Sequence, residues 1–369
     1  MSKAAELAAL IGGQKALGDK NFIINGDMRI FQRATAATAA SAYDTVDRFG
    51  FGESTDGAFT SEKSTDSPIG SGNSLKLQVT TADTSLSASQ YAYFFQAIEG
   101  QNLQSLQYGT SSAKTLTLSF WVKSNKTGTY TINVYKQDST AYNLPIEYTI
   151  SSANTWEKKQ IKITPTAGST SFITSAGGAI ADDNGIGFQV GFGLAWGSNF
   201  HGTNNTWSSN TSHYSTANAV NWMDSTSNNF YLAQVQLEIG EVATAFEHED
   251  IGTTLAKCQR YFTKSYNQGT AVATATAVGA VYKVMDAAMN YGTENVVFPC
   301  SMRATPTVGI YSPVTGALGK FDSNTSGGTT DLNLTTVNIG DNGFSGQSNN
   351  QAVSQNAYMR WHYTASAEL

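Results

Sequence analysis

Charge is what this chain has least of. Only 14% of its 369 residues are Asp, Glu, Lys or Arg, against roughly a quarter in ordinary globular proteins. The 22 Lys and Arg are outnumbered by 28 Asp and Glu, for a net charge of −6, which argues against an electrostatic grip on nucleic acid or an anionic membrane. The two cysteines, Cys258 and Cys300, supply neither a disulfide framework nor a zinc spacing, and read as buried thiols. No stretch approaches the ~20 apolar residues of a membrane helix, and the first residues lack the apolar core of a signal peptide. No membrane insertion is expected, and the chain belongs in the cytoplasm or in a particle assembled there. The histidines His201, His213, His248 and His362 fall in no triad or metal-ligand pattern, and nucleophile-elbow, phosphate-loop and Walker motifs are missing. Glycoside cleavage needs two carboxyl groups ~5–10 Å apart. Asp182 and Asp183 sit on a turn, and Glu247, Glu249 and Asp250 on a linker, where solvation explains them. No catalytic residue, metal or cofactor is assigned, and the protein is expected not to be an enzyme.

Thr, Ser, Asn and Gly fill the places that charge leaves, a mixture suited to short strands joined by turns. With 40% hydrophobic and 11% aromatic residues, the chain can bury more than one core. From residue 21 onward apolar residues recur at every second position, the period of a strand with one buried face. "FIINGDMRIF" reads as a strand with a tight turn at Asn25 and Gly26. Leu75, Leu77 and Val79 alternate in "SLKLQVTT", and Leu116, Leu118, Phe120 and Val122 in "TLTLSFWVKS". Ile132 and Val134 follow in "TYTINVYKQ", with "NKTG" between the last two runs as a hairpin turn. "WEKKQIKITPT" adds Trp156, Ile161 and Ile163. "IGFQVGFGLAWG" sends Ile186, Phe188, Val190, Phe192, Leu194 and Trp196 to one side, and small or polar residues to the other. The expected fold is all-β: a jelly-roll sandwich over residues 21–249, then a smaller C-terminal β-domain over 250–369.

The join between them is legible. Val235, Leu237 and Ile239 alternate until Gly240, a charged link follows, and "IGTTLAKCQRYF" then places Ile251, Leu255, Cys258 and Phe262 at helical spacing. Beyond it lie further strands, a Gly/Asn/Ser-rich region, and "AYMRWHYTASAEL" as a closing strand.

Two segments stand apart. Residues 1–20 hold a short helical pattern whose apolar face includes Leu7, Leu10 and Ile11, either a turn folded on its own domain or a docking peptide for a partner. The stretch 197–229 is too long for a hairpin turn and mixes aromatics with amides and hydroxyls. Sugars are held by aromatic faces and read by amides, and Trp207, His213, Tyr214 and Trp222 supply both. The simpler reading is that these aromatics pin the loop by packing. Residues 322–350 form a competing binding region.

Several stretches together resemble a family of bacteriophage tail-fibre and virion-fibre proteins: "NFIINGDMRIFQR" (21–33), "YDTVDRF" (43–49), "VQLEIGEVATAFEHED" (235–250), "LAKCQRYF" (255–262), "FPCSMRATPTV" (298–308) and "YTASAEL" (363–369). The resemblance implies a virion structural protein with a carbohydrate-binding-module-like jelly roll and a terminal β-domain, often homotrimeric. It implies attachment to other virion proteins through the N-terminus and binding of a host cell-surface polysaccharide or receptor. A capsid or tail decoration protein without a specific ligand is the alternative, and a polysaccharide depolymerase a weaker one. Within the motifs, Arg29 and Arg33 are spaced to form salt links with Asp44 and Asp47, beside Arg48, and Phe246, Tyr261 and Phe262 to anchor the seam. A structural calcium of the kind some such modules hold is not expected: Asp27 matches its opening turn, but Gln234 and Gln236 stand where carboxylates would be needed.

Overall fold

The computed structural model describes residues 20–38, 42–70, 72–285, 293–324, 331–348, 353 and 356–369. Leu7, Leu10 and Ile11 lie outside the described residues.

Eleven strands build the first body: β1 (Ala36–Ala37), β2 (Gly50–Glu53), β3 (Ala58–Ser64), β4 (Ser74–Thr81), β5 (Tyr91–Glu99), β6 (Leu116–Ser124), β7 (Gly128–Lys136), β8 (Tyr142–Ile150), β9 (Glu157–Ile163), β10 (Ile186–Trp196) and β11 (Asn229–Ile239). They form a jelly-roll sandwich of a six-stranded sheet, β1-β3-β4-β11-β6-β9, and a five-stranded sheet, β2-β5-β10-β7-β8. Most of the alternating residues read from the sequence face inward and meet: Leu75, Leu118, Phe120, Ile132, Phe188, Phe192 and Phe230 are fully buried in one core. Trp156 and Trp196, expected beside them, lie outside it, Trp196 because a register shift after Gly193 turns it to the other face. Phe192 stacks on Phe94, with ring centres 4.9 Å apart at 4°.

A helix α1 (Ile251–Gln259) opens the second body, capped by the Asp250 side chain accepting from the amides of Gly252 and Thr253. Strands β12 (Phe262–Lys264), β13 (Val281–Val284), β14 (Thr293–Val297), β15 (Thr307–Tyr311), β16 (Lys320–Phe321), β17 (Leu332–Gly340), β18 (Gly343–Ser348) and β19 (Tyr358–Ser366) follow. They make two further sheets around a separate core that holds Phe298, Phe321, Met359 and Trp361. The closing strand expected at the chain's end is β19, paired with β12, β13 and β15.

Four local expectations need correction. The runs at 116–124 and 128–136 are not a hairpin: β6 pairs with β11 and β9, whereas β7 pairs with β10 and β8, so "NKTG" arches from one sheet to the other. Both strands bury the same parity toward one core, so their alternation suits either connection. Residues 21–33 form turns rather than a strand. Asn25 organises them: its amide donates to the carbonyls of Ile30 and Asp47, and its oxygen accepts from the amides of Arg29 and Ile30. The buried face of α1 carries Thr254 and Cys258, while Ile251 is exposed. The motif arginines do not serve the first segment alone. Arg29 pairs with Asp27, but Arg33 (3.0 Å) and Arg48 both grip Glu368, and Asp47 instead accepts from Gln32.

That last correction defines the junction. Arg48 lies over the Tyr261 ring (3.4 Å) and Arg33 over Phe262 (3.8 Å), while the Gln32 amide donates to the Phe262 carbonyl. Arg303 donates to the carbonyls of Ala367 and Asn184. Glu99 of β5 is fully buried and accepts from Nε and Nη2 of Arg260, at 2.8 Å each. The two bodies therefore share a desolvated polar joint, with Tyr261 and Phe262 buried in it and Phe246 half-buried.

Candidate functional site

Strand pairing lays the outer face of the five-stranded sheet out in rows. One row runs Gly50, Phe95, Gly191, Asn133, Pro145, and the next Gly52, Tyr93, Gly193, Thr131, Glu147. Tyr93 and Phe95 of β5 thus each have a glycine on both sides. A Cβ at Gly52 would collide with the Tyr93 ring, one at Gly50 with Phe95, and one at Gly193 with the indole of Trp196. The glycines leave room for these rings to lie down on the sheet, and a ring lying flat offers a face instead of an edge. A bulge after Gly193 brings Trp196 opposite Tyr91.

The rings touch in sequence. Tyr93 stacks on Phe95 (5.5 Å, 26°), Trp196 follows (5.0 Å, 34°), Tyr214 stacks on Trp196 (5.2 Å, 7°), and Tyr135 of β7 closes the belt (6.2 Å, 52°). Tyr91, Tyr93, Phe95, Tyr135, Phe200 and Tyr214 are all half-buried, so the belt is seated yet reachable.

Beside the belt the face is polar but almost uncharged. The Asn133 amide donates to Asn143 Oδ1 (3.1 Å), and the Asn143 amide to the Thr211 carbonyl (2.6 Å). Asn133 Oδ1 and Trp196 Nε1 are buried without a partner among the described residues, and such atoms are normally satisfied by water or a ligand. Burial, reinforced by Tyr214 and Tyr91, pushes the Tyr93 phenol up to about 12, and burial likewise raises Tyr214. Both phenols stay neutral and can donate and accept. Of the side chains in these rows only Glu147 is a carboxylate, held by Thr216 (2.6 Å) and Asn218 (3.0 Å).

The loop 197–229 supplies part of this face, though not as its composition suggests. Trp207 and Trp222 are corrected here: at 1% and 0% exposure both are core residues and offer no surface to a ligand. Their indole N–H groups donate inward, to the carbonyls of Thr164 (2.9 Å) and Asn229 (3.1 Å). They pin the loop down, and the loop then lays Phe200 and Tyr214 against Trp196. His213 is half-buried, with its ring nitrogens taken by Ser208 (2.9 Å) and Asn210 (3.0 Å). Tyr91, Tyr93, Phe95, Tyr135 and Trp196 were missed as site residues. The signal was there in "YAYFF", where aromatics occupy alternate positions of a strand, and in "GFG" and "VGFGL", where glycines take the parity opposite to the core phenylalanines. Asp27 is paired with Arg29, and no cluster of three or more His, Cys, Asp or Glu able to hold a metal occurs among the described residues.

No protein-family model matches the chain, and no curated protein does. Among solved structures it is similar to the enzymatically active domain of tailspike protein 4 of bacteriophage CBA120, at 12% identity and a TM-score of 0.30 over 60% of this chain, which spans 22% of that one. It is similar to a putative sugar binding protein from Bacteroides thetaiotaomicron, at 12% identity and a TM-score of 0.32 over 60% of this chain and 100% of that one. A family 11 carbohydrate-binding module from Clostridium thermocellum, in complex with a mixed-linked tetrasaccharide, matches at 12% identity and 0.29 over 57% of this chain and 99% of that one. These likenesses are weak, and what the face can do follows from its own residues.

Proposed function

We propose that the protein binds a neutral glycan through the outer face of its five-stranded sheet, as a fibre or spike component of a phage virion that meets a host cell surface. The observation that carries the reading is the belt from Phe95 to Tyr135, seated on glycines and bordered by amides. Pyranose rings present apolar C–H faces that stack on such rings, while amides and neutral phenols read their hydroxyls. The scarcity of charge on the face favours a neutral saccharide over an acidic one. Cleavage needs two carboxyl groups and the rows hold one, so the reading is binding without hydrolysis. The virion setting, a homotrimeric assembly and attachment through residues 1–20 are parts of the same reading, supported by the ordered set of fibre-like motifs. Exposed apolar side chains on the second body, Tyr282, Val284 and Val297 among them, suit contacts between copies.

The test is a glycan array probed with the full chain and with Tyr93→Ala and Tyr135→Ala. The expected result is a neutral-glycan signal that falls at least ~10-fold in each variant with an unchanged melting profile, stacking being worth about 0.5–1.5 kcal/mol beyond area burial. Undiminished binding by both variants refutes the site, and new reducing ends released from a bound polysaccharide refute binding without hydrolysis.

A further inference from the structure

A second concavity lies at the joint between the two bodies. It encloses about 520 Å³, within the ~300–1,000 Å³ usual for small-molecule sites, and domain joints are a preferred place for such sites. Phe22 and Ile24 of the turn segment give it an apolar wall, Gln101 and Asn102 a polar rim, and α1 with its C-terminal cap contributes Lys257 and Arg260. Among the described residues, both charged side chains that line it are cations, and no carboxylate does.

Arg260 is held ready rather than consumed. Glu99 takes its Nε and Nη2 from behind, and is itself fully buried and fixed by the Tyr261 hydroxyl. Nη1 makes no hydrogen bond among the described residues, and 32% of the side chain stays exposed. A guanidinium locked on one edge and open on the other loses little freedom when it takes a second oxyanion. Lys257, paired with Glu249 at 2.5 Å, stands one helical turn before it as the second cation.

We propose that this cavity binds a carboxylate-bearing sugar residue of the uronic-acid class, with its ring against Phe22 and Ile24 and its carboxylate on Nη1 of Arg260 beside Lys257. The site is separate from the aromatic belt and does not rest on it.

The experiment is a titration of the full chain with methyl glucuronoside and, in parallel, methyl glucoside, followed by saturation-transfer NMR. The uronate should bind and the neutral glycoside should not at the same concentration. Lys257→Gln and Asn102→Ala lie on the rim and should keep the melting profile. Lys257→Gln should weaken the uronate about 10-fold, as expected for losing one hydrogen bond to a charged group, and 0.5 M salt should weaken it in the wild type. Tyr93→Ala should leave uronate binding unchanged, which separates this site from the belt. Equal response to the two glycosides, full affinity in Lys257→Gln, or loss of uronate binding in Tyr93→Ala would each overturn the proposal.

Discussion

Replacing Glu368 with glutamine tests whether the joint is held by charge. The Glu368 carboxylate is 8% exposed and faces Arg48 at 1% and Arg33 at 13%. Glutamine keeps the shape and removes the charge, so Arg48 is left buried as a cation without its counter-ion. Breaking a buried pair from one side costs about 3–5 kcal/mol. Arg48 keeps the Ala97 carbonyl at 2.7 Å and the Tyr261 ring at 3.4 Å, which points to the lower end, ~3 kcal/mol. With an unfolding entropy of ~2.1 cal/mol/K per residue, the 369-residue chain melting as one unit would lose about 4 °C. Scanning calorimetry reads both quantities, and a joint that gives way first would split the single endotherm in two. Adding Arg48→Met should recover part of the loss, because the stranded charge is then gone. A Glu368→Gln melting point within about 1 °C of wild type, or losses that simply add in the double variant, would refute the reasoning.

Three further outcomes follow from other parts of the molecule. Burial pushes the Glu99 carboxyl up, but hydrogen bonds from Arg260 and Tyr261 and the charge of Arg260 outweigh it, leaving it below its ordinary 4.5. The unfolded chain therefore binds this proton more readily, so the stabilisation is complete above pH ~4.5 and is lost as pH falls through the lowered value; urea midpoints between pH 6 and 3 should show a drop that Glu99→Gln abolishes. Trp222→Ala empties a fully buried site and should cost about 3–5 kcal/mol by chemical denaturation, whereas Tyr93→Ala, half-exposed, should cost far less. Burial pushes the Cys258 thiol well above its usual range, so a thiol reagent should leave it untouched in the native protein and titrate it only after denaturation, with half-buried Cys300 reacting first.

The strands were legible wherever one parity is apolar and the other is not. Leu75, Leu77 and Val79, or Leu116, Leu118, Phe120 and Val122, announce themselves because polar residues fill the other parity, even where the fold buries both, as at Thr117 and Ser119. The aromatic belt escaped for the opposite reason. In "YAYFF" both parities are apolar, and the outward one is recognisable only once pairing sets Tyr93 beside Gly52 and Gly193. Loop composition pointed to the right segment and to one ring of the belt, Tyr214, but also to Trp207 and Trp222, since nothing local says which aromatic turns inward. The salt links of Arg33 and Arg48 were assigned within their own segment because sequence reasoning sees neighbours, while Glu368 reaches them only through the second body.

The order of strands in the sandwich also bears on how it forms. β10 lies between β5 and β7, and β11 between β4 and β6. Until residues 186–239 have been made and inserted, neither sheet exists as a continuous ladder, and four strands present bare edges facing gaps of one strand's width. Such edges are templates for any extended chain, including the same segment of a neighbouring copy. Closing both gaps requires contacts between residues 52 to 157 apart in sequence, the kind of topology that folds in milliseconds to seconds rather than microseconds. β10 and β11 are keystones laid last, and a chain stopped before them would hold most of the sandwich's strands without being able to join them.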